Sequence, residues 1–162
     1  NNNFGASITA SYNGVGQLSI SARSISSDSL QSAVTTTNLP LNQWIHVVGI
    51  LSYEGDRIMI YLNGLLDTNT AVTFNSNTYN NSWVGGADMI GNFDSQSRYL
   101  NASLDNVRIY NKALTSNEIA DHYNKVKLYY QPSFKFDGVN DMIYSNNSET
   151  LNPRDEITIE AS

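Results

Sequence analysis

Residues 57–64, Arg-Ile-Met-Ile-Tyr-Leu-Asn-Gly, decide the fold class of this chain of 162 residues. The side chains alternate in character with a period of two, and the Asn-Gly pair at the end is a strong hairpin signal. The same period recurs over residues 6–10, 17–23 and 156–161. Because alternation gives each strand one buried face and one solvated face, it predicts antiparallel sheets rather than a parallel α/β core.

Short turn motifs separate these strands along the chain. They are Asn13-Gly14, Glu54-Gly55-Asp56, Asn63-Gly64, Gly85-Gly86 and Asp137-Gly138. Many short strands at such spacing are typical of two antiparallel sheets packed as a sandwich. We therefore predict an all-β fold.

One helix interrupts the strand pattern. Thr115-x-x-Glu118 has the form of a capping box, and Ile119 and Tyr123 then lie on one helical face. The pattern predicts one short helix of two to three turns near residues 115–124. We expect this helix to lie against the edge or the end of the sandwich.

The composition of the chain argues against several classes of protein. The net charge is −6 and only 15% of the residues are charged, so the surface repels phosphate backbones and disfavours nucleic-acid binding. No apolar run approaches the roughly 18 residues that a membrane span needs. The absence of cysteine excludes disulfides and thiol catalysis. Much of the polarity comes from Ser, Thr and 22 Asn residues, which suits a secreted surface and sugar contacts.

Three stretches together resemble the laminin-G-like, concanavalin A-like lectin/glucanase superfamily. Residues 41–64, with Trp-Ile-His-Val-Val-Gly at their centre, resemble the central hairpin of the family, and residues 104–119 resemble its closing strand and terminal helix. Residues 134–161, which begin Phe-Lys-Phe-Asp-Gly, resemble its opening strands. The resemblance implies an antiparallel two-sheet jelly-roll sandwich whose opening strands come last in the chain.

This rotated order divides the chain into two parts. Residues 1–128 form the main part of the sandwich, with the central strands, the closing strands and the helix. Residues 129–162 supply the opening strands. These strands either complete the sandwich in cis, as a permuted fold, or complete a neighbouring copy in trans.

The resemblance also implies a function without catalysis: an extracellular or cell-surface recognition and adhesion module that binds a glycan or a cell-surface protein. The alternative is a structural subunit of a surface filament or tandem array, assembled from copies by strand exchange through residues 133–162. A glycoside hydrolase is disfavoured, because Glu156 and Glu160 share one strand face but stand about 13 Å apart. Glu54 and Asp56 lie at a hairpin tip that is open to water. We therefore predict that the chain is not an enzyme.

Oxygen-bearing side chains near the C-terminal end form a candidate calcium site. Asp137, Asn140 and Asp141 surround a glycine, and Ca²⁺ prefers oxygen ligands from flexible loops. The resemblance implies that Asp105, on the closing strand, lies beside Asp137 and shares a structural calcium ion with it. The alternative is that Asp137 and Asn140 form turns through their own side chains.

The aromatic and histidine residues receive separate predictions. Trp83 is the candidate platform for a sugar ring, with Tyr79 and Asn81 in the polar loop before it. Trp44 is expected to pack in the core. His46 is predicted to be a packed, hydrogen-bonded residue at the core edge, and His122 a solvated or capping residue of the helix. Neither histidine has a Ser or Cys partner in a recognisable triad.

Overall fold

The computed structural model describes residues 6–12, 16–25, 28–76, 88–93, 98–128, 134–137, 139–140, 142–145 and 156–161. The described part of the chain is mostly β-structure with one helix, which confirms the predicted all-β class. The strands are β1 (Ala6–Tyr12), β2 (Gln17–Ala22), β3 (Gln31–Val34), β4 (Val47–Ser52), β5 (Arg57–Leu62), β6 (Leu65–Ala71), β7 (Asp88–Ile90), β8 (Asn92–Phe93), β9 (Arg98–Tyr99), β10 (Asn101–Leu104), β11 (Arg108–Tyr110), β12 (Phe134–Asp137), β13 (Ile143–Ser145) and β14 (Glu156–Ala161). The helix is α1 (Ser116–Leu128).

Two antiparallel sheets carry the fold. The larger has five strands in the order β11–β14–β4–β5–β6, and the smaller has three in the order β1–β2–β3. Shorter antiparallel pairs are β10 with β12, β13 with β7, and β8 with β9. This arrangement agrees with the predicted two-sheet jelly-roll sandwich.

The main core fills the space between the two sheets. Ile20 of the smaller sheet and Leu51, Ile58 and Ile60 of the larger one are all buried there. At Gly49 the two sheets approach so closely that a Cβ atom would overlap the Ile20 side chain. A side chain at position 49 would therefore force the Cδ1 end of the buried Ile20 side chain to move.

The larger sheet is buried on both faces at β4, which corrects the prediction of one wet face for every strand. Val48 and Ile50 point away from the main core and join a second apolar cluster with Tyr61, Leu114 and Ile119. The apolar side of α1 supplies Ile119, so the helix covers the outer face of the sheet. The prediction that the helix lies at the edge or the end of the sandwich is therefore wrong. The outward-facing apolar residues of the sheet need a covering layer, and the helix provides it.

The predicted capping box is confirmed at the start of α1. The Thr115 amide donates to Oε2 of Glu118 over 2.8 Å, and the Glu118 amide donates back to Oγ1 of Thr115 over 3.2 Å. Hydrogen bonds from Lys112 and from Thr115 lower the pKa of Glu118 to about 2. The helix is 13 residues long and continues four residues past the predicted end.

The last three strands lie within the sheets of their own chain. β14 pairs with β4 along its whole length, from Glu156 opposite Ser52 to Ala161 opposite Val47, and also with β11. β12 pairs with β10, and β13 with β7. β12, β13 and β14 therefore each pair with strands of the same chain, while the choice between completion in cis and in trans stays a prediction. Across the described ranges, no helix combines the length and apolarity that a bilayer crossing requires.

Candidate functional site

A buried carboxylate on β14 gathers polar side chains from three other parts of the fold. Glu160, 1% exposed, lies opposite Val48 and therefore on the sheet face that α1 covers. Its Oε1 is 2.5 Å from Nε2 of His46, and its Oε2 is 3.1 Å from Nδ1 of His122. The Tyr110 hydroxyl donates to Oε2 over 3.4 Å. We call these four residues the Glu160 cluster.

The electrostatics of the Glu160 cluster favour the ionised carboxylate. Burial by itself raises the pKa of Glu160, but the hydrogen bonds and electrostatic interactions with His46 and His122 outweigh it, so the pKa lies below its usual value of 4.5. Burial also raises the pKa of Tyr110, and the negative charge of Glu160 adds to that rise. The site therefore holds a carboxylate with its hydrogen-bonding partners.

The surroundings of the two histidines show how tightly the site is closed. His46 is 3% exposed, and the described residues offer its Nδ1 atom no hydrogen-bond partner. The rings of His122 and Tyr110 stack with centroids 5.8 Å apart, and the His46 and Tyr123 rings lie at the same distance. Because Glu160 is covered on every side, the described cluster gives a substrate no access to its carboxylate. The geometry indicates an anchor for β14.

Thr158 forms a second polar anchor on the same face of β14. Its hydroxyl donates to the Lys112 carbonyl over 2.9 Å and accepts from the Leu114 amide over 3.1 Å. The residue is fully buried, and it stands two positions before Glu160, so both side chains point toward the helix layer. β14 is thus held by a Thr-x-Glu pattern as well as by its backbone ladders.

The two histidine predictions have different outcomes. The prediction for His46, a packed and hydrogen-bonded residue, is confirmed. The prediction for His122 is wrong, because its side chain is only 20% exposed and bonds Glu160. Sequence reasoning missed Glu160 as their common partner. The sequence did carry one signal for Glu160. The residue stands two positions after Thr158, and so on the same face of a strand that resembles the family's opening strands.

A second candidate site is an open cleft beside the β5–β6 hairpin. The cleft measures about 230 Å³. Its walls combine amide, hydroxyl and apolar side chains, namely Thr37, Asn38, Leu39, Pro40, Ile45, Leu62, Asn63, Leu65, Leu66 and Asp67. Trp44, next to Ile45 in the chain, is 52% exposed, so the prediction that it packs in the core is wrong. The reason is local: Trp44 precedes β4, which begins at Val47, and so does not follow the alternation of that strand.

The wall of this cleft is held in place by a carboxylate. Asp67 on β6 accepts hydrogen bonds from the amide and hydroxyl of Thr36 and from the hydroxyls of Thr37 and Thr68. Burial alone raises the pKa of Asp67, but these bonds outweigh it and the pKa is lowered. The single hydroxyl proton of Thr68 is shared between Asp67 and the Val34 carbonyl, which lies 3.0 Å from Oγ1. The loop after β3 is therefore fixed to β6 at the mouth of the cleft.

The structure describes only some of the residues that were predicted to bind a sugar or calcium. Tyr79, Asn81, Trp83 and Asp141 lie outside the described residues. Asn140 is described and exposed.

Asp105 and Asp137 do not stand side by side. Leu104 pairs with Phe134 and Asn101 pairs with Asp137, which puts Asp105 about 13 Å along the ladder from Asp137. The Asp105 carboxylate accepts the Asn106 amide over 2.7 Å, as in a turn. In the described ranges no group of three or more His, Asp or Glu residues is arranged to hold a metal ion. The calcium site stays a prediction.

Glu54 and Asp56, the other acidic pair that hydrolysis could use, belong to the turn between β4 and β5. Glu54 is exposed at the β4–β5 turn. Asp56, with φ of 50°, accepts the Phe74 amide over 2.9 Å, which ties this turn to the segment after β6. The Asp56 carboxylate therefore serves the turn.

Two antiparallel sheets packed face to face, with a helix over the larger one, define a lectin-like β-sandwich. The Laminin_G_3 model, described as concanavalin A-like lectin/glucanases superfamily, matches residues 1–120, and the chain belongs to this family. The predicted family is thereby confirmed. The match covers β1 to β11 and the start of α1, whereas β12, β13 and β14 follow it.

Among solved structures, the chain is similar to a crystal structure of an S-layer domain-containing protein (residues 221–444) from Clostridium thermocellum ATCC 27405. The two are 22% identical, the likeness covers 67% of this chain and 52% of that chain, and the TM-score is 0.39. The chain thus spans about half the length of that structure, and a likeness at this level carries no functional argument. A comparison with curated proteins gives no match.

Proposed function

We propose that the chain is an extracellular, non-catalytic recognition module that binds a glycan at the cleft beside Trp44. The observation that carries the proposal is a cleft with both amide and apolar walls, one of whose lining residues, Ile45, directly follows the half-exposed Trp44 in the chain. Aromatic faces stack on the C–H faces of sugar rings, while amides supply the directional hydrogen bonds that fix the ring. The low charge and the abundance of neutral polar residues support a secreted setting.

The size of the cleft limits the ligand. At about 230 Å³ it is smaller than the roughly 300–1,000 Å³ of pockets for drug-sized ligands. It suits one sugar ring, such as the end or a side branch of a polysaccharide. Leu65 of the cleft wall is exposed, as is Leu41, which follows the lining residue Pro40 in the chain, and both add apolar surface that a longer glycan could cover.

The state of the described carboxylates supports the absence of catalysis in this proposal. Glu160 is closed off by histidines and tyrosine, and Asp67 uses both oxygens to hold the wall of the cleft. Hydrolysis of a glycosidic bond needs two carboxyl groups facing one bond. The described acids of the cleft and of the Glu160 cluster do not offer such a pair.

A binding experiment with the two tryptophans as a matched pair tests the proposal. Isotope-labelled protein is titrated with a panel of monosaccharides and soluble polysaccharides, and amide shifts are followed by NMR. We expect shifts at residues 37–45 and 62–67, and loss of at least tenfold in affinity for Trp44→Ala, since stacking on an aromatic ring contributes about 1–3 kcal/mol.

Trp83→Ala is the control, because it removes the platform that the sequence favoured. Loss of binding in Trp83→Ala with retention in Trp44→Ala would move the site to the loop before Trp83. Absence of shifts with every sugar, for a folded protein, would refute glycan binding at the cleft.

A further inference from the structure

Among the described residues, the strands and side chains that form the slot for β14 come from the part of the chain before residue 129. Its walls are the backbone edges of β4 and β11. Its polar contacts are the imidazoles of His46 and His122 and the backbone of Lys112 and Leu114. We call this slot the strand seat. Except for His122, these residues fall within residues 1–120, which match the family model, whereas β14 lies after that match.

The strand seat selects one register of one kind of strand. Thr158 and Glu160 meet their partners on the helix side, while Ile159, opposite Gly49, faces the other way. A slip of one residue would turn Ile159 toward the imidazoles and the Glu160 charge toward the apolar core. Such a slip would bury an unpaired charge, at a large cost. The strand seat therefore recognises a hydroxyl and a carboxylate spaced two residues apart.

Nothing in these contacts depends on the strand coming from the same chain. A second copy presents the same Thr-x-Glu strand, with the same two backbone ladders and the same hydrogen bonds. An empty seat would leave Nε2 of His46 and the edge of β4 without partners, so a seat that loses its own strand favours capture of another.

We propose that β14 is an exchangeable strand, and that a second copy of this chain docks by placing its residues 156–161 in the strand seat. Closed monomers prevail in dilute solution, because β14 belongs to the same chain as its seat and is therefore present there at an effective concentration in the mM range. Exchange then needs crowding of copies, or refolding at high concentration. Reciprocal exchange gives a closed dimer, and head-to-tail exchange gives an open chain of copies.

Cysteine cross-linking tests this directly, because the native chain has no cysteine. Val47 and Ala161 are paired across β4 and β14, at the Cα separation of about 4.5–5.5 Å that a disulfide accepts. Two full-length variants, Val47→Cys and Ala161→Cys, are unfolded together, refolded at high concentration and oxidised. Non-reducing electrophoresis and peptide mapping then measure the disulfide between them.

The control pair combines Ala161→Cys with Ala71→Cys, which places the thiol on the far edge strand β6. We expect about tenfold more heterodimer from the Val47 pair than from the control pair, because seating brings the two thiols together at mM effective concentration. The double variant Val47→Cys/Ala161→Cys reports closure within one chain and verifies that both cysteines are compatible with folding. Equal heterodimer from both pairs, with efficient intramolecular closure in the double variant, would overturn strand exchange.

Discussion

Truncation of Glu160 to alanine removes the centre of the Glu160 cluster. Among the described residues, this is the only cluster in which β14, β11, α1 and the segment before β4 meet. The carboxylate is 1% exposed, and His46 and His122 both direct a ring nitrogen at it. Without it, the His46 imidazole stays buried with no partner on either nitrogen. Removal of one member of a buried ion pair costs about 3–5 kcal/mol. We therefore expect Glu160→Ala to lose that much free energy of unfolding.

The size of the chain converts this loss into a thermal shift. For domains of about 150–250 residues, each kcal/mol moves the midpoint by roughly 2–4 °C, so the expected shift is on the order of 10 °C. Glu160→Gln keeps the shape but replaces charge-assisted hydrogen bonds with neutral ones, and we expect a smaller loss of about 2 kcal/mol. Urea unfolding followed by circular dichroism measures all three proteins at pH 7.

Glu54→Ala is the matched control, because Glu54 is an exposed acid on a turn. We expect its free energy of unfolding to stay within about 0.5 kcal/mol of the unchanged protein. If Glu160→Ala lost less than about 1 kcal/mol, as a solvated acid would, the buried histidine–carboxylate anchor would be refuted.

Three further predictions concern pH, packing and the helix cap. The pKa of Glu160 is lower in the folded chain than in the unfolded chain. Its contribution to the free energy of unfolding is therefore complete above pH 4.5 and is lost as the pH falls through the folded-state pKa. The stability difference between the unchanged protein and Glu160→Gln should thus shrink as the pH falls below 4.5, and a constant difference in urea titrations would contradict the assignment. Gly49→Ala should cost about 1–3 kcal/mol, because the new methyl group overlaps Ile20, and a neutral effect in the same assay would mean that the sheets do not approach closely at this point. Thr115→Ala should cost about 1 kcal/mol through loss of the helix cap, and unchanged helicity and stability would argue against that cap.

The features that depend on neighbouring residues could be read from the sequence. The alternation through Ile58 and Ile60 identifies a strand of the main core, because side-chain direction in a strand is fixed by position alone. The capping box at Thr115 and Glu118 is equally local, since it needs only two side chains three residues apart. The resemblance to the family came from such local stretches as well.

The features that depend on distant parts of the chain could not be read in the same way. Glu160 meets His46 across 114 positions, and periodicity carries no information about which histidine faces which acid. The helix was expected at the edge, although the uninterrupted apolar run of β4 already indicates burial on both faces. An aromatic residue of a β-sandwich more often packs in the core, which is the basis of the prediction for Trp44, but an indole just outside a strand does not follow the alternation and can face solvent.

The position of β14 between β4 and β11 underlies both the anchor and the strand exchange. Amide hydrogen exchange over residues 156–161 tests that position most directly, because an amide paired in a central strand exchanges only through large-scale opening. We predict protection equal to that of β4 (Val47–Ser52) in the unchanged protein, and a clear loss of protection over the same residues in Glu160→Ala. Exchange over 156–161 as fast as in the exposed turn at Glu54 would contradict a completed five-stranded sheet.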